Sequence, residues 1–218
     1  MKDYRTIWLD LDGTLVDSQI GITRGVQLAL QQFGIAVEDP ASLRCFIGPP
    51  LTDSFREFYH FSLQQAQQAV EYYRAYYRRE GVWKNTLYPG VKDFLRRMDE
   101  QGRALFVASS KPQEMVEQIL DQHSIAGYFT GIYGASLDMS RSTKVQVLSY
   151  GLARHPQVDP GAALMVGDRK FDVLGAAQVG MDCVGVLYGF GDEAELRQAG
   201  AVAVVKDLEQ LAELLGTP

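Results

Sequence analysis

Residues 5–18 read Arg-Thr-Ile-Trp-Leu-Asp-Leu-Asp-Gly-Thr-Leu-Val-Asp-Ser, an apolar run that ends on two aspartates and a glycine. Short apolar runs bounded by turn residues read as buried strands, so a strand is expected over about 5–10. In extended chain, side chains two apart point the same way, and Asp10 and Asp12 therefore leave the strand end toward one point. Gly13 lets the backbone turn sharply just beyond them. Two carboxylates that close repel each other unless a cation or a proton lies between them. The pattern thus points to a divalent metal combined with proton transfer. The alternative is a turn that only caps a neighbouring helix.

Further apolar runs recur at about 103–108, 129–133, 162–166, 182–186 and 201–204, with helical periodicity over 91–100, 112–122, 143–153 and 170–179 between them. Pro112 suits a first helical position. Strands alternating with helices predict an α/β fold with a parallel sheet. From about residue 17 to 84 the rhythm breaks: only Gln-, Tyr- and Arg-rich helical periodicity is present, and strands resume after the turn-like Tyr88-Pro89-Gly90. Two domains are expected, an α/β core of 1–16 with 85–218 and an inserted α-helical domain of 17–84. In the insertion, tyrosines four apart in 71–78 predict packing of helix faces, Asp17-Ser18 predicts a cap for the first helix, and Cys45 is expected as a small buried hydrophobe.

Three later strand ends add chemistry. Val166-Gly167-Asp168-Arg169-Lys170-Phe171-Asp172 places two acids four apart at a strand-to-helix junction, where Asp172 reads either as a metal-site acid or as a first-turn complement to the helix dipole. Ser109 and Ser110 precede Lys111-Pro112 and an expected helix start, a natural anion site. Lys144 opens the helix after Ser142-Thr143. Taken singly, a serine cap and a solvated lysine are ordinary; in combination they supply the phosphate side of a site.

Composition narrows the partners. The 218 residues are 46% hydrophobic, enough for a full core, and the formal net charge is -6. No basic field exists to collect nucleic-acid polymers or anionic membranes, so neither is expected as a partner. Charges scattered through the first residues argue against a signal peptide or a membrane span, and two cysteines without CxxC spacing suit a reducing compartment, so a cytoplasmic address is expected.

Four strand ends carrying Asp/Asp, Ser, Lys and Asp/Asp in that chain order resemble the four motifs of the haloacid dehalogenase superfamily. YPGV at 88–91, SSKP at 109–112, GDRKFDVLGAAQVGM from 167 and GVLYGFG from 185 resemble its phosphoglycolate phosphatase-like branch. The resemblance implies a doubly wound, Rossmann-like parallel sheet with the first strand central, flanked by the second and fourth, and an inserted α-helical cap domain. It implies a Mg2+-dependent phosphatase acting on a small phosphorylated metabolite, 2-phosphoglycolate-like or a nucleoside monophosphate, through an aspartyl-phosphate. Asp10 is then the nucleophile and Asp12 the acid/base. Magnesium is held by the Asp10 carboxylate, the Asp12 backbone carbonyl and Asp168, with Asp172 as a water-mediated ligand or support, and phosphate by Ser109, Ser110 and Lys144. Arg44, Gly48 and Pro49 match the family's substrate-specificity loop, where the doubled Pro49-Pro50 departs from the usual single proline. The implied assembly is a monomer or homodimer. A phosphomutase and a non-catalytic phosphate-binding regulatory module are the competing functions.

Overall fold

The computed structural model describes residues 2–138 and 140–216. They form two compact units, one made of the chain up to Val16 with the chain from Leu87 onward, the other of Asp17–Thr86. The strands are β1 (Thr6–Leu9), β2 (Val16–Asp17), β3 (Thr86–Leu87), β4 (Ala104–Pro112), β5 (Gly131–Ala135), β6 (Ala163–Gly167), β7 (Asp182–Val186) and β8 (Ala203–Val205). The helices are α1 (Gln19–Gln31), α2 (Leu51–Tyr59), α3 (Leu63–Arg79), α4 (Val91–Glu100), α5 (Gln113–Gln122), α6 (Lys144–Arg154), α7 (Lys170–Gln178), α8 (Glu193–Ala199) and α9 (Leu208–Leu214).

In the first unit six strands pair in the order β5-β4-β1-β6-β7-β8, and every pairing is parallel. The expected central β1 is found: Leu9 sits opposite Val107 on one side and Val166 on the other. Parallel strands need both faces covered, and alternate residues here serve opposite faces. Trp8, Phe106, Ala108 and Met165 meet α6 and α7 through Val147, Leu148, Val173 and Ala176 in one buried cluster. The Trp8 indole stacks on Phe106 at 4.4 Å, and Gly151 of α6 makes room for it, since an added Cβ would stand 2.7 Å from the ring. The alternate residues Ile7, Leu9, Leu105, Val107, Leu164 and Val166 are buried as well. The fold is α/β and doubly wound.

The second strand differs from expectation. β4 does not stop near residue 108 but continues in extended form to Pro112, whose φ of -52° and ψ of 137° make it the cap residue before α5 rather than its first helical residue. The Ser109-Ser110-Lys111 segment is therefore strand, not helix N-terminus. Its pairing with β5 carries an irregularity between Ala108 and Pro112.

The second unit packs α1, α2 and α3 with a 3-10 helix, Pro40–Phe46. α3 starts at a capping box in which Gln65 N donates to Ser62 Oγ at 3.2 Å and Ser62 N donates to Gln65 Oε1 at 2.9 Å. Tyr73 and Tyr77 stack at 5.2 Å as the four-residue spacing predicts, and Gly25 lets α1 approach, because a Cβ there would lie 2.8 Å from Tyr73. Phe46, Phe55 and Phe61 complete an aromatic core. One local expectation holds in part and one fails. Of Asp17-Ser18, Asp17 supplies the bond at the start of α1, its Oδ1 accepting from Gln19 N, while Ser18 Oγ is buried with no partner among the described residues. Cys45 is exposed, because it stands in the 3-10 helix between the inward-facing Leu43 and Phe46. Among the described residues no helix is long and apolar enough to cross a membrane.

Candidate active site

β1 and β6 end side by side next to the middle of β4, so the side chains that follow them meet those of the C-terminal half of β4. Asp10 follows β1, and its backbone N–H donates to Val166 O at 2.9 Å, extending the ladder one residue past the strand. Its Oδ1 accepts from Leu11 N at 2.7 Å and pairs with Lys144 Nζ at 2.8 Å. Lys144, the first residue of α6, also reaches Asp172 Oδ1 at 2.7 Å and donates to Ala108 O at 2.7 Å. One buried ammonium thus ties together the end of β1, the middle of β4 and the first turn of α7. Gly175 makes this approach possible, as a Cβ there would stand 2.8 Å from the Lys144 side chain.

Asp168 and Asp172 sit on either side of the β6-to-α7 turn. Asp172 Oδ2 accepts from Arg169 N at 3.1 Å, and Arg169 is held by Glu195 of α8 at 2.9 Å. Asp168 is fully buried. Its Oδ2 accepts from Phe190 N at 2.7 Å, and its Oδ1 has no partner among the described residues. Oxygens of Asp10, Asp168 and Asp172 lie within 4.8 Å of one another. The wall against Asp168 is glycine: a Cβ on Gly13 would fall 2.1 Å from its carboxylate and one on Gly189 would fall 2.4 Å from its Cβ. Gly13 also has φ of +83°, which side-chain-bearing residues rarely adopt.

Asp12 is held differently. Both of its carboxylate oxygens accept from Lys111 Nζ, at 2.8 and 2.7 Å. The extension of β4 puts Ser109 and Lys111, two apart, on one buried face, with Ser110 and Pro112 half-buried. Ser109 Oγ accepts from Lys111 N at 3.2 Å. The turn after Asp12 is secured by Tyr188, whose hydroxyl donates to Thr14 O at 3.0 Å.

Charge in this enclosure is far from that of free side chains. Burial pushes the Asp10 carboxyl up to about 7; Lys144 opposes the shift, and the Asp172 and Asp12 carboxylates add to it. Asp168 is raised well above the ordinary carboxylate range by burial, then by Asp172 and Asp10. Burial disfavours the Lys144 ammonium, yet Asp10 and Asp172 outweigh it and hold Lys144 above the usual lysine range. Four carboxylates (Asp10, Asp12, Asp168, Asp172) face two ammonium groups (Lys111, Lys144), which leaves two negative charges when all are ionised. A hard divalent cation fits that oxygen-rich deficit and the unpartnered Asp168 Oδ1.

Residues 7–186 match the family model for haloacid dehalogenase-like hydrolases. The chain belongs to this family. The hydrolase is 40% identical over 216 residues to a 5'-nucleotidase of Pseudomonas aeruginosa, covering 97% of this chain and 96% of the relative. It is 36% identical to the tyrosine-protein kinase PtkA of Mycobacterium tuberculosis (95% and 71% covered) and 28% identical to a phosphoglycolate phosphatase of Vibrio parahaemolyticus (98% and 97% covered). A solved structure described as a predicted phosphatase from Clostridium acetobutylicum superposes with a TM-score of 0.94 at 41% identity, over 97% of this chain and 98% of that one. The protein is a phosphoric monoester hydrolase of the haloacid dehalogenase-like family.

Of the residues singled out in the sequence, the structure of the hydrolase draws Asp10, Lys144, Asp168 and Asp172 into one cluster and places Asp12 and Ser109 against Lys111. Ser110 is half-buried beside them. Arg44, Gly48 and Pro49 belong to the other unit, where Arg44 and Gly48 are exposed and Pro49 half-buried; Gly48 turns the chain with φ of +107°, and Pro50 caps α2. Lys111, Tyr188 and the Phe190 amide were missed. Lys111 had a signal in its spacing of two from Ser109, which an extended β4 turns into a shared face. The amide of Phe190 had none.

Proposed function

We propose that the hydrolase removes the phosphoryl group of a small phosphomonoester, with magnesium, in two steps through an aspartyl-phosphate on Asp10. The observation that carries this reading is the Lys144 ammonium bridging Asp10 and Asp172 beside an Asp168 oxygen that has no partner among the described residues. In the first step an Asp10 oxygen bonds to phosphorus as the bond to the leaving oxygen breaks, and the proton of Asp12 passes to that oxygen to give the alcohol. In the second, water attacks phosphorus, its proton returns to Asp12, and the bond to Asp10 breaks, releasing phosphate. Asp10, Asp168 and the Asp12 backbone carbonyl, with Asp172 in support, would hold the magnesium, which when bound would supply positive charge against the transferring group. Lys144 shares that load and keeps Asp10 aimed, while Ser109 and Ser110 line the phosphate side.

A nucleoside monophosphate heads the substrate list, because the relative at 40% identity over nearly all of both chains is a 5'-nucleotidase. A 2-phosphoglycolate-like ester stands second, supported by the more distant Vibrio enzyme. Arg44 is assigned to reading the substrate beyond its phosphoryl group. The test is phosphate release from nucleoside monophosphates, 2-phosphoglycolate, sugar phosphates, pyrophosphate and phosphotyrosine, with magnesium and with EDTA. Magnesium-dependent turnover that favours one nucleotide by orders of magnitude is expected; inertness toward every ester would sink the reading.

A further inference from the structure

Lys111 has no place in the steps above, yet it is buried and spends its ammonium on both oxygens of Asp12. A lysine gives up side-chain freedom when fixed, and a buried charge is retained only where a partner compensates it. Its position is also built. β4 continues past its expected end through the irregularity at Ala108–Pro112, and its two-residue alternation turns Lys111 to the same buried face as Ser109. Asp12 itself follows β1 in a turn where, among the described residues, this ammonium braces both oxygens of its carboxylate. From that geometry we infer that Lys111 is the positioning residue for Asp12: it sets the direction in which the Asp12 carboxyl group presents its proton to the leaving oxygen. The inference rests on the reading of Asp12 as the acid.

Both oxygens of Asp12 now lie on the ammonium. When Asp12 acts as the acid, one oxygen carries the proton and the other remains on Lys111, which is enough to fix the plane of the carboxyl group. In the second step, the carboxylate that accepts the proton from water is the form the ammonium already holds. A lysine that instead held the substrate's phosphoryl group would serve every ester alike. An aiming role serves only those esters whose leaving oxygen needs a proton.

That difference is the experiment. kcat/KM, which reports the steps up to the first transfer, is measured with magnesium for alkyl, phenyl, 4-nitrophenyl and 2,4-dinitrophenyl phosphates in the wild type, Lys111→Met, Lys111→Arg and Asp12→Ala. Lys111→Met is expected to lower kcat/KM for the alkyl ester about 100-fold, in the range of acid assistance, and for the dinitrophenyl ester less than about threefold. Lys111→Arg, which can still grip both oxygens, should recover most of the alkyl activity. In Asp12→Ala, adding Lys111→Met should cost nothing further, since the two act as one unit. Equal losses across the series, or additive losses in the double variant, would overturn the aiming role while leaving the phosphatase reading intact. A wild type inert toward all four esters would remove the phosphatase reading and this inference with it. If Lys111→Met does not fold, the Lys111→Arg series decides: a loss as large for the dinitrophenyl as for the alkyl ester counts against the inference.

Discussion

The two units of the chain handle charge in opposite ways. At the strand ends of the α/β unit, the carboxylates of Asp10, Asp12, Asp168 and Asp172 are gathered with little exposure, and Lys111 and Lys144 offset two of their four negative charges. In the Asp17–Thr86 unit, cations stay at the surface and find local partners: Arg24 donates to Gln27 and Arg79 to Glu80. The interior of that unit is aromatic and aliphatic instead, with Phe46, Phe55, Tyr73 and Tyr77 at its centre. Surface pairs contribute little, whereas buried charges are costly when a partner is lost. Buried charge is thus concentrated in the unit to which the proposed chemistry is assigned, whereas the inserted unit is stabilised as an ordinary hydrophobic core.

The sharpest way to break this contrast is Asp10→Asn. Turnover should fall by about 1,000-fold or more, the range of a lost nucleophile, while circular dichroism remains that of the wild type. Residual activity near wild type would show that the cluster's charge is structural. Gly13→Ala should come next. Its Cβ would press on Asp168 in a backbone conformation unsuited to alanine, so a loss of about 1–3 kcal/mol in denaturant unfolding and weaker magnesium dependence of activity are expected. An alanine that behaves as wild type in both assays would mean the turn relaxes freely.

Smaller effects sharpen the other side. Arg44→Ala should raise KM for the best natural ester about tenfold, with little change for an aryl phosphate and none in thermal stability, as befits an exposed cation. Equal effects on both esters would give Arg44 a structural role. The smallest effect concerns pH in metal-free protein. Because the Asp10 carboxyl is raised to about 7 in the fold, the native state holds that proton more tightly than the unfolded chain does. The stabilisation is complete below the unfolded value near 4 and is lost as pH rises through about 7. The difference in Tm between Asp10→Asn and wild type should thus shift in favour of the variant from about pH 5 to about pH 8, by a few degrees. A difference independent of pH would show that Asp10 titrates as an ordinary carboxylate.

What could be read without coordinates was whatever depends on short stretches of chain. The run ending at Asp10, the turn at Gly13 and the acid pair at Asp168 and Asp172 announce strand ends, because alternation and turn preference act over a few residues. α4 spans the expected 91–100, β7 spans the expected 182–186, and the chain order of the four chemical segments carried the family. What required the tertiary structure was who meets whom across distance. Lys111 and Asp12 are 99 residues apart, and nothing local says that β4 runs on to Pro112 or that the amide of Phe190 donates to one oxygen of Asp168 while the other has no partner among the described residues. Cys45 was misread for the same reason: burial is decided by the neighbours a fold assembles. Pairing of buried charge is a property of three-dimensional proximity, so the sequence could point to Asp10, Asp12, Lys144, Asp168 and Asp172 as candidates, and only the fold determined which groups they meet.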